Sequence, residues 1–155
     1  TADALVTLTA GLGLMVRVAD CVPVLLADTG SGVVAAVHAG RAGVALSVVA
    51  RAVEQMRDHG AVSVHAWVGP HVCGGCYEVP EQMREEVAAV VPQTWSETTW
   101  GTPSLDLGAG VRAQLEALDV SLTEVARCTL EDPALHSHRR DGATAGRMAG
   151  LVWTS

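Results

Sequence analysis

Two side chains that could bind a metal or act as a nucleophile–base pair flank one turn signal. Cys21 precedes the apolar segment 22–27, and His38 follows the apolar segment 33–37, with the turn residues DTGSG between the two segments. If these segments pair as an antiparallel hairpin centred in that turn, Cys21 and His38 lie opposite each other, or nearly so. Opposed side chains project from the same face with Cβ atoms roughly 4.5 to 5.5 Å apart. A thiolate and an imidazole at that distance can share a metal ion or activate one another.

The residues beside Cys21 and His38 predict whether the pair is open to a ligand and what supports it. Gly40 and Gly43 follow His38 closely, so we expect them to leave open space for a ligand. Asp20 should point to the other face of its strand and either bond the backbone or support the site. A plainer interpretation also remains: Cys21 is a small buried residue and His38 caps a turn.

The sequence Cys73-Gly-Gly-Cys76 is a second place where thiols come close together. A single CxxC pair is a weak signal, because a structural zinc needs two further ligands. Cys128, His71 and His65 are available, but their spacing fits no standard zinc finger. We therefore favour a tight glycine loop with incidental thiols over zinc or a redox dithiol.

The C-terminal segment HSHRRDG concentrates cationic side chains near glycines. Arg139 and Arg140 suit a phosphate or carboxylate, since a guanidinium binds such anions with two parallel hydrogen bonds. The alternative is a surface charge paired with Asp141. His136 and His138 are two residues apart and are interpreted as neighbours on one strand face, either ligands or solvated side chains.

Composition restricts the classes of function. Of the 155 residues, 49% are hydrophobic and 17% charged, with a net charge of −7 and arginine as the only strongly basic residue type. An acidic chain without a basic stripe argues against binding to nucleic acid.

No apolar run is long enough to span a bilayer and no leader opens the chain, so we expect a cytoplasmic protein whose four cysteines are thiols or ligands. Because it starts at Thr1 without Met, we expect a piece of a longer protein.

Hydrophobic patterning predicts strands and helices that alternate along the chain. Strands are predicted at 14–18, 22–27, 33–37, 62–68 and 122–128 and at the C-terminus, and helices at 44–58, 80–91 and 108–118. This intermixing indicates a single α/β or α+β domain with at least three layers.

Five motifs in order, ADCVPVLLAD, VVAAVHAG, GPHVCGGCYEV, RCT and SHRRDGATAGRMAG, resemble the bacterial YfiH-type family. It is also called the laccase-domain or multicopper polyphenol oxidase-type family. The resemblance covers residues 1–155 as one domain and implies an α+β fold, a four-layer α/β/β/α sandwich with mixed sheets. It also implies a metal site, zinc or alternatively copper, with Cys21 and His38 as ligands and a further histidine expected upstream of Thr1.

The family resemblance implies two activities, copper-dependent polyphenol oxidation and purine nucleoside phosphorolysis, the latter with adenosine deamination and methylthioadenosine cleavage. Six histidines are too few for a set of copper centres, so we expect a zinc-dependent phosphorylase acting on a nucleoside and phosphate. Cys21 and His38 would be catalytic, and Arg41, Arg139 and Arg140 would bind substrate.

The sequence reads HAGRAG where the family has HAGWRG, which places Arg41 at the tryptophan position. A metal-free cysteine hydrolase or amidase using Cys21 and His38, and a non-enzymatic binding module, remain as alternatives.

Overall fold

The structure is a computed structural model that describes residues 2–155. Within that range the strands are β1 (Ala4–Thr7), β2 (Leu14–Val18), β3 (Val22–Ala27), β4 (Val34–Ala39), β5 (His65–Val68), β6 (Trp95–Glu97), β7 (Pro103–Leu105), β8 (Ser121–Glu124) and β9 (Met148–Val152). The α-helices are α1 (Arg41–Ala45), α2 (Val48–Asp58), α3 (Glu81–Val90), α4 (Leu107–Glu116) and α5 (His138–Asp141).

A mixed five-stranded sheet forms the centre of the domain, in the order β1-β4-β3-β5-β8. Its pairs are antiparallel except for the parallel pair of β5 and β8. Strand β4 is buried on both faces along most of its length, which explains its continuous run of small apolar residues. The β3–β4 hairpin therefore has a fixed position within the domain.

The two faces of this sheet are covered differently. On one face, α2 and α4 pack their apolar sides, including Met56 and Leu115, into the main core. On the other face, β2 and β9 form a separate antiparallel pair whose Leu14, Val16 and Val18 pack over β4. The α+β class and the mixed sheet are confirmed, and the described residues supply one helical layer and two sheet layers. Among the described residues, every helix falls short of the length and apolar character that a membrane span requires.

Three local predictions need correction. The helix predicted at 44–58 is two helices, because Ser47 adopts a left-handed conformation with φ of 56° between α1 and α2. The strand predicted at 122–128 ends at Glu124, where pairing with β5 stops. His136 and His138 do not share a strand face, since His138 is the first residue of α5.

The hairpin exists, but its register differs from the predicted one. His38 lies opposite Pro23, so Cys21 falls just outside β3, two positions from the predicted pairing. Side chains along a strand alternate between faces with a period of two residues. An error of two positions therefore leaves Cys21 and His38 on the same side of the sheet.

Candidate functional site

Cys21 and His38 form a contact at the open end of the β3–β4 hairpin. Both side chains border the space beside Gly40. A Cβ atom added to Gly40 would lie 3.2 Å from Cys21 Sγ and 3.5 Å from His38 Cε1. Glycine at this position therefore keeps the pair uncovered, as the sequence predicts. Gly43, by contrast, does not leave open space. A Cβ atom added to Gly43 would lie 3.1 Å from Val48 Cγ1.

The imidazole of His38 is oriented by a carboxylate. His38 Nδ1 lies 3.1 Å from Asp3 Oδ1, which leaves Nε2 on the side of Gly40 and Cys21. Metal-binding histidines commonly have their other ring nitrogen held by a carboxylate in this way. The contact with Cys21, together with Asp3, raises the pKa of His38 to about 9, although partial burial acts against this. Metal binding at this imidazole must then release a proton.

The donor set at this position suits zinc. A thiolate and an imidazole are among the ligands that Zn²⁺ takes in tetrahedral sites. Within residues 2–155, however, Cys21 and His38 do not belong to any group of three or more metal-ligating side chains. The described part of the chain thus offers two side chains that could bind a zinc ion here, with Asp3 as the support for one of them.

Asp20 fixes the backbone that carries Cys21. Its φ of 83° is in the left-handed region, and the residue is buried. The carboxylate accepts hydrogen bonds from Thr129 Oγ1 at 2.6 Å and from the Arg139 backbone N–H at 2.7 Å, and the Asp20 carbonyl accepts one from the Val72 N–H at 3.0 Å. Three loops therefore meet at the residue before Cys21, in agreement with the backbone-bonding role considered for Asp20.

A cavity of about 230 Å³ opens beside Cys21, with Tyr77, His138 and Arg139 in its wall. The Arg139 guanidinium carbon lies 4.6 Å from the centre of the Tyr77 ring, and Nη1 donates to the Glu78 carbonyl at 2.8 Å. Arg139 also lines a larger groove of about 620 Å³ on its other side. A fixed cation thus stands between the cavity at Cys21 and an open groove, which suits an anionic ligand group.

The other two arginines singled out from the sequence are placed differently. Arg140 directs its guanidinium at protein acceptors, including the carbonyls of Thr129 and Leu135 at 2.9 and 2.7 Å and the carboxylate of Asp141 at 2.9 Å. It thereby holds the loop before α5 in place. Arg41 is exposed at the first position of α1, directly after Gly40. The structure brings Arg139 to the Cys21 cavity and gives Arg140 a supporting position.

Sequence reasoning did not assign the contacts that three residues make at this site. Tyr77 supports the Arg139 guanidinium, Thr129 bonds Asp20, and His138 lines the cavity with its Nδ1 donating to the Gly142 carbonyl at 3.0 Å. Thr129 follows the cysteine of the RCT motif, and His138 precedes the two arginines, so proximity to a motif was the available signal. Tyr77 is far along the chain from the other two, and only the fold shows that all three meet.

The comparisons with known proteins agree with this architecture. Residues 1–155 match the sequence profile of a family described as multi-copper polyphenol oxidoreductase laccase. The chain belongs to this laccase-domain family. Two solved members of similar fold are the YfiH protein of Bacillus licheniformis, with a TM-score of 0.88 and 26% identity, and YlmD of Geobacillus stearothermophilus, with 0.85 and 32%. Each alignment covers 99% of this chain and 61% of the other.

Curated relatives in this laccase-domain family carry the name of a different enzyme. A purine nucleoside phosphorylase of Streptomyces griseus is 56% identical over 154 residues, which are 97% of this chain and 62% of that protein. A purine nucleoside phosphorylase of Mycobacterium bovis is 52% identical, with 97% and 61% covered. The chain thus spans less than two thirds of the length of these relatives.

Proposed function

We propose that this protein catalyses phosphorolysis of purine nucleosides. In that reaction a phosphate oxygen bonds to C1′ of the ribose while the bond from C1′ to the purine nitrogen breaks. The purine leaves with the electron pair and takes up a proton. The observation that carries the proposal is that Cys21 and His38 lie together beside Gly40, and that Cys21 and Arg139 line the same cavity. The names of relatives 52 to 56% identical support it.

The chain's own residues would divide the work as follows. Cys21 and His38 would hold zinc, which when bound supplies a Lewis acid within reach of phosphate or a bound water. Arg139 would bind phosphate through its fork of N–H groups, with Arg41 as a second cation near the hairpin. Arg140 would keep the loop of Arg139 in place through its carbonyl bonds.

His138 is suited to the proton that the leaving purine needs. Its Nδ1 is committed to the Gly142 carbonyl, so Nε2 is the nitrogen left to exchange a proton in the cavity. Adenosine deamination and methylthioadenosine cleavage belong to the same proposal, because both substrates present a purine nucleoside to this site. The protein is expected to act in the cytoplasm, where nucleosides and phosphate are available.

The first experiment measures free base released from adenosine and inosine by the protein at its full natural length, with and without phosphate. We expect release only with phosphate, matched one to one by ribose 1-phosphate, and loss of release in Cys21→Ala. Arg139→Ala should raise the KM for phosphate at least tenfold, whereas Arg57→Ala on α2 should leave it unchanged. Base release without phosphate, or full activity in Cys21→Ala, would contradict the proposal.

A second candidate is a metal-free cysteine hydrolase or amidase. The observation in its favour is that Cys21 lies beside His38, whose pKa is raised by Cys21 and Asp3, an arrangement typical of a nucleophile beside its base. Alkylation of Cys21 in zinc-stripped protein separates the two candidates. If the stripped protein hydrolyses amides and alkylation stops this, the hydrolase is supported. If stripping alone stops all turnover, it is excluded.

A further inference from the structure

Three cysteines outside the proposed reaction come together where the loop of residues 69–77 meets the loop of residues 128–131. The sulfur atoms of Cys73, Cys76 and Cys128 and a carboxylate oxygen of Glu131 all lie within 4.8 Å of one another. All three cysteines are free thiols. In a tetrahedral zinc site with Zn–S bonds of about 2.3 Å, neighbouring sulfur atoms are roughly 3.8 Å apart. The four side chains are therefore already close to the size of a zinc site.

The spacing along the chain is also that of paired zinc-binding turns. Cys73 and Cys76 are separated by two residues, and so are Cys128 and Glu131. Each pair encloses a turn: the Cys76 N–H donates to the Cys73 carbonyl at 3.0 Å, and the Asp132 N–H to the Cys128 carbonyl at 3.0 Å. Such a turn directs two ligands to one side, as in the C-x₂-C half-sites of structural zinc.

The first turn is held in a single conformation by its surroundings. The Gly74 carbonyl accepts a hydrogen bond from Ser104 Oγ at 2.6 Å, and the Gly75 carbonyl accepts one from the Thr99 N–H at 3.0 Å. A Cβ added to Gly74 would come within 2.7 Å of Ser96 Oγ. Glycine is thus required there, and the loop is built to present Cys73 and Cys76 rigidly, which incidental thiols do not need.

The two loops are joined to each other beside the sulfur atoms. The Thr129 N–H donates to the His71 carbonyl at 3.1 Å, and the Cys73 N–H lies 3.4 Å from Cys128 Sγ, at which it is directed. A cavity of about 300 Å³ with Cys73, Cys128 and Glu131 in its wall gives a metal ion a way in.

We propose that Cys73, Cys76, Cys128 and Glu131 bind one Zn²⁺ ion in a structural site separate from Cys21 and His38. Four protein ligands leave no position for substrate, so the ion would serve to fasten the two loops together. Val72 and Thr129, which bond Asp20, directly adjoin Cys73 and Cys128 in the sequence. The ion would thereby hold the residues that position Cys21.

The test uses the protein at full natural length with the substitution Cys21→Ala, so that the first metal site cannot contribute. The reduced, metal-free protein is titrated with Co²⁺ and then with Zn²⁺. We expect one Co²⁺ per chain, with strong thiolate-to-cobalt charge-transfer absorption and the visible bands of tetrahedral cobalt, all lost when one equivalent of Zn²⁺ is added. Failure of the reduced protein to bind Co²⁺ with these bands would overturn the proposal.

Ligand variants in the same background assign the site. Cys76→Ser and Cys128→Ser should each weaken Co²⁺ binding at least a hundredfold and reduce the charge-transfer absorption. Glu131→Ala should weaken it about tenfold without unfolding, because Glu131 is exposed, while Glu54→Ala on α2 should match the parent. Unchanged binding in the serine variants, unchanged binding in Glu131→Ala, or a Cys73–Cys76 disulfide in protein purified without oxygen would each overturn the assignment.

Discussion

Asp3 shows how a single exposed side chain orients the imidazole of His38, a proposed metal ligand. It accepts the hydrogen bond of His38 Nδ1 at 3.1 Å, and this contact sets which ring nitrogen is free to bind. Cys21 lies towards Nε2, where its Sγ and the imidazole border the same space beside Gly40. The surroundings of one imidazole thus come from two residues that lie just before β1 and just before β3.

Replacing Asp3 by Asn should weaken zinc binding at Cys21 and His38 about tenfold. The loss of a carboxylate behind a metal-binding histidine typically reduces affinity by about 10- to 100-fold, and both side chains here are partly exposed, so the lower figure applies. Competition against a chromophoric chelator measures the change, with Asp58→Asn on α2 as the control. Equal affinities for Asp3→Asn and the parent protein would show that Asp3 does not support the ligand.

Asp28 is predicted to make the free energy of unfolding depend on pH. Its buried carboxylate accepts hydrogen bonds from the N–H groups of Val62 at 2.7 Å and Gly30 at 2.9 Å, which lower its pKa below the ordinary 3.8. The folded state therefore favours the charged form. The resulting stability is fully present well above pH 3.8 and is lost as the pH falls through the lower folded pKa.

The variant Asp28→Asn isolates this contribution. At pH 7 the free energy of unfolding of this variant should be about 1 to 2 kcal/mol smaller than that of the parent protein. The reason is that a charged acceptor is replaced by a neutral amide that also carries N–H donors. Urea unfolding between pH 7 and pH 3 should show the two proteins converging as the pH falls. A constant difference across that range would mean that the charge of Asp28 does not stabilise the fold.

At the scale of strands and helices, the sequence predicts β2 and β3 to the residue, β2 from a weak apolar–polar alternation and β3 from a short apolar run that ends at the turn residues DTGSG. The hairpin register is harder to predict. The Asp28 N–H bonds the Val33 carbonyl at 3.0 Å, so the turn proper is one residue shifted from the predicted centre. The residue types of DTGSG identify a turn. How many of these residues pair between β3 and β4 depends on backbone angles such as the φ of 76° at Gly32.

Short elements and distant contacts account for what sequence reasoning missed. Strands β6 and β7 have three residues each, too few to show a period, and α5 has four. The break at Ser47 interrupts a continuous apolar spacing through a left-handed backbone conformation that this spacing does not reveal. Cys128 joins Cys73 across 55 residues of chain, a contact that spacing rules for zinc fingers do not describe.

The loops around Asp20 give a prediction at this scale. Thr129→Val removes the hydroxyl that donates to the buried Asp20 carboxylate and leaves a charged oxygen without that partner, at a cost of about 1 to 3 kcal/mol. Amide hydrogen exchange at Val72 and Arg139, the other donors to Asp20, should become faster. Thr123→Val, at an exposed position of β8, serves as the control. Unchanged exchange at both amides would show that Asp20 does not couple the loops.

At the scale of the whole molecule, the distribution of histidines argues against a set of copper centres. The chain has six histidines, and the cluster of three or more metal-ligating side chains found in the described residues contains cysteines and a glutamate but no histidine. A blue copper site needs two histidines beside its cysteine, and a multi-copper oxidase needs further histidine ligands for its other coppers. The described part of this laccase-domain protein does not gather them.

We therefore expect the protein at full natural length, after incubation with copper, to lack the absorption of a blue copper site and to take up no oxygen with polyphenols above the level of Cys21→Ala. Copper content, visible absorption and an oxygen electrode measure this. Several coppers per chain together with oxygen uptake that depends on Cys21 would instead establish polyphenol oxidation, and would remove the support for the phosphorylase.

The hydrogen bonds of the Asp20 carboxylate also constrain the order in which parts of the fold can form. They join Asp20 to Thr129 and Arg139 across 109 and 119 residues of chain, whereas the β3–β4 hairpin closes locally. Contacts between distant residues carry a large loop-closure entropy and form late in folding. Cys21 and His38 can therefore meet within their hairpin before the distant loops arrive. The site becomes rigid only when Thr129 and Arg139, more than a hundred residues further along the chain, reach Asp20.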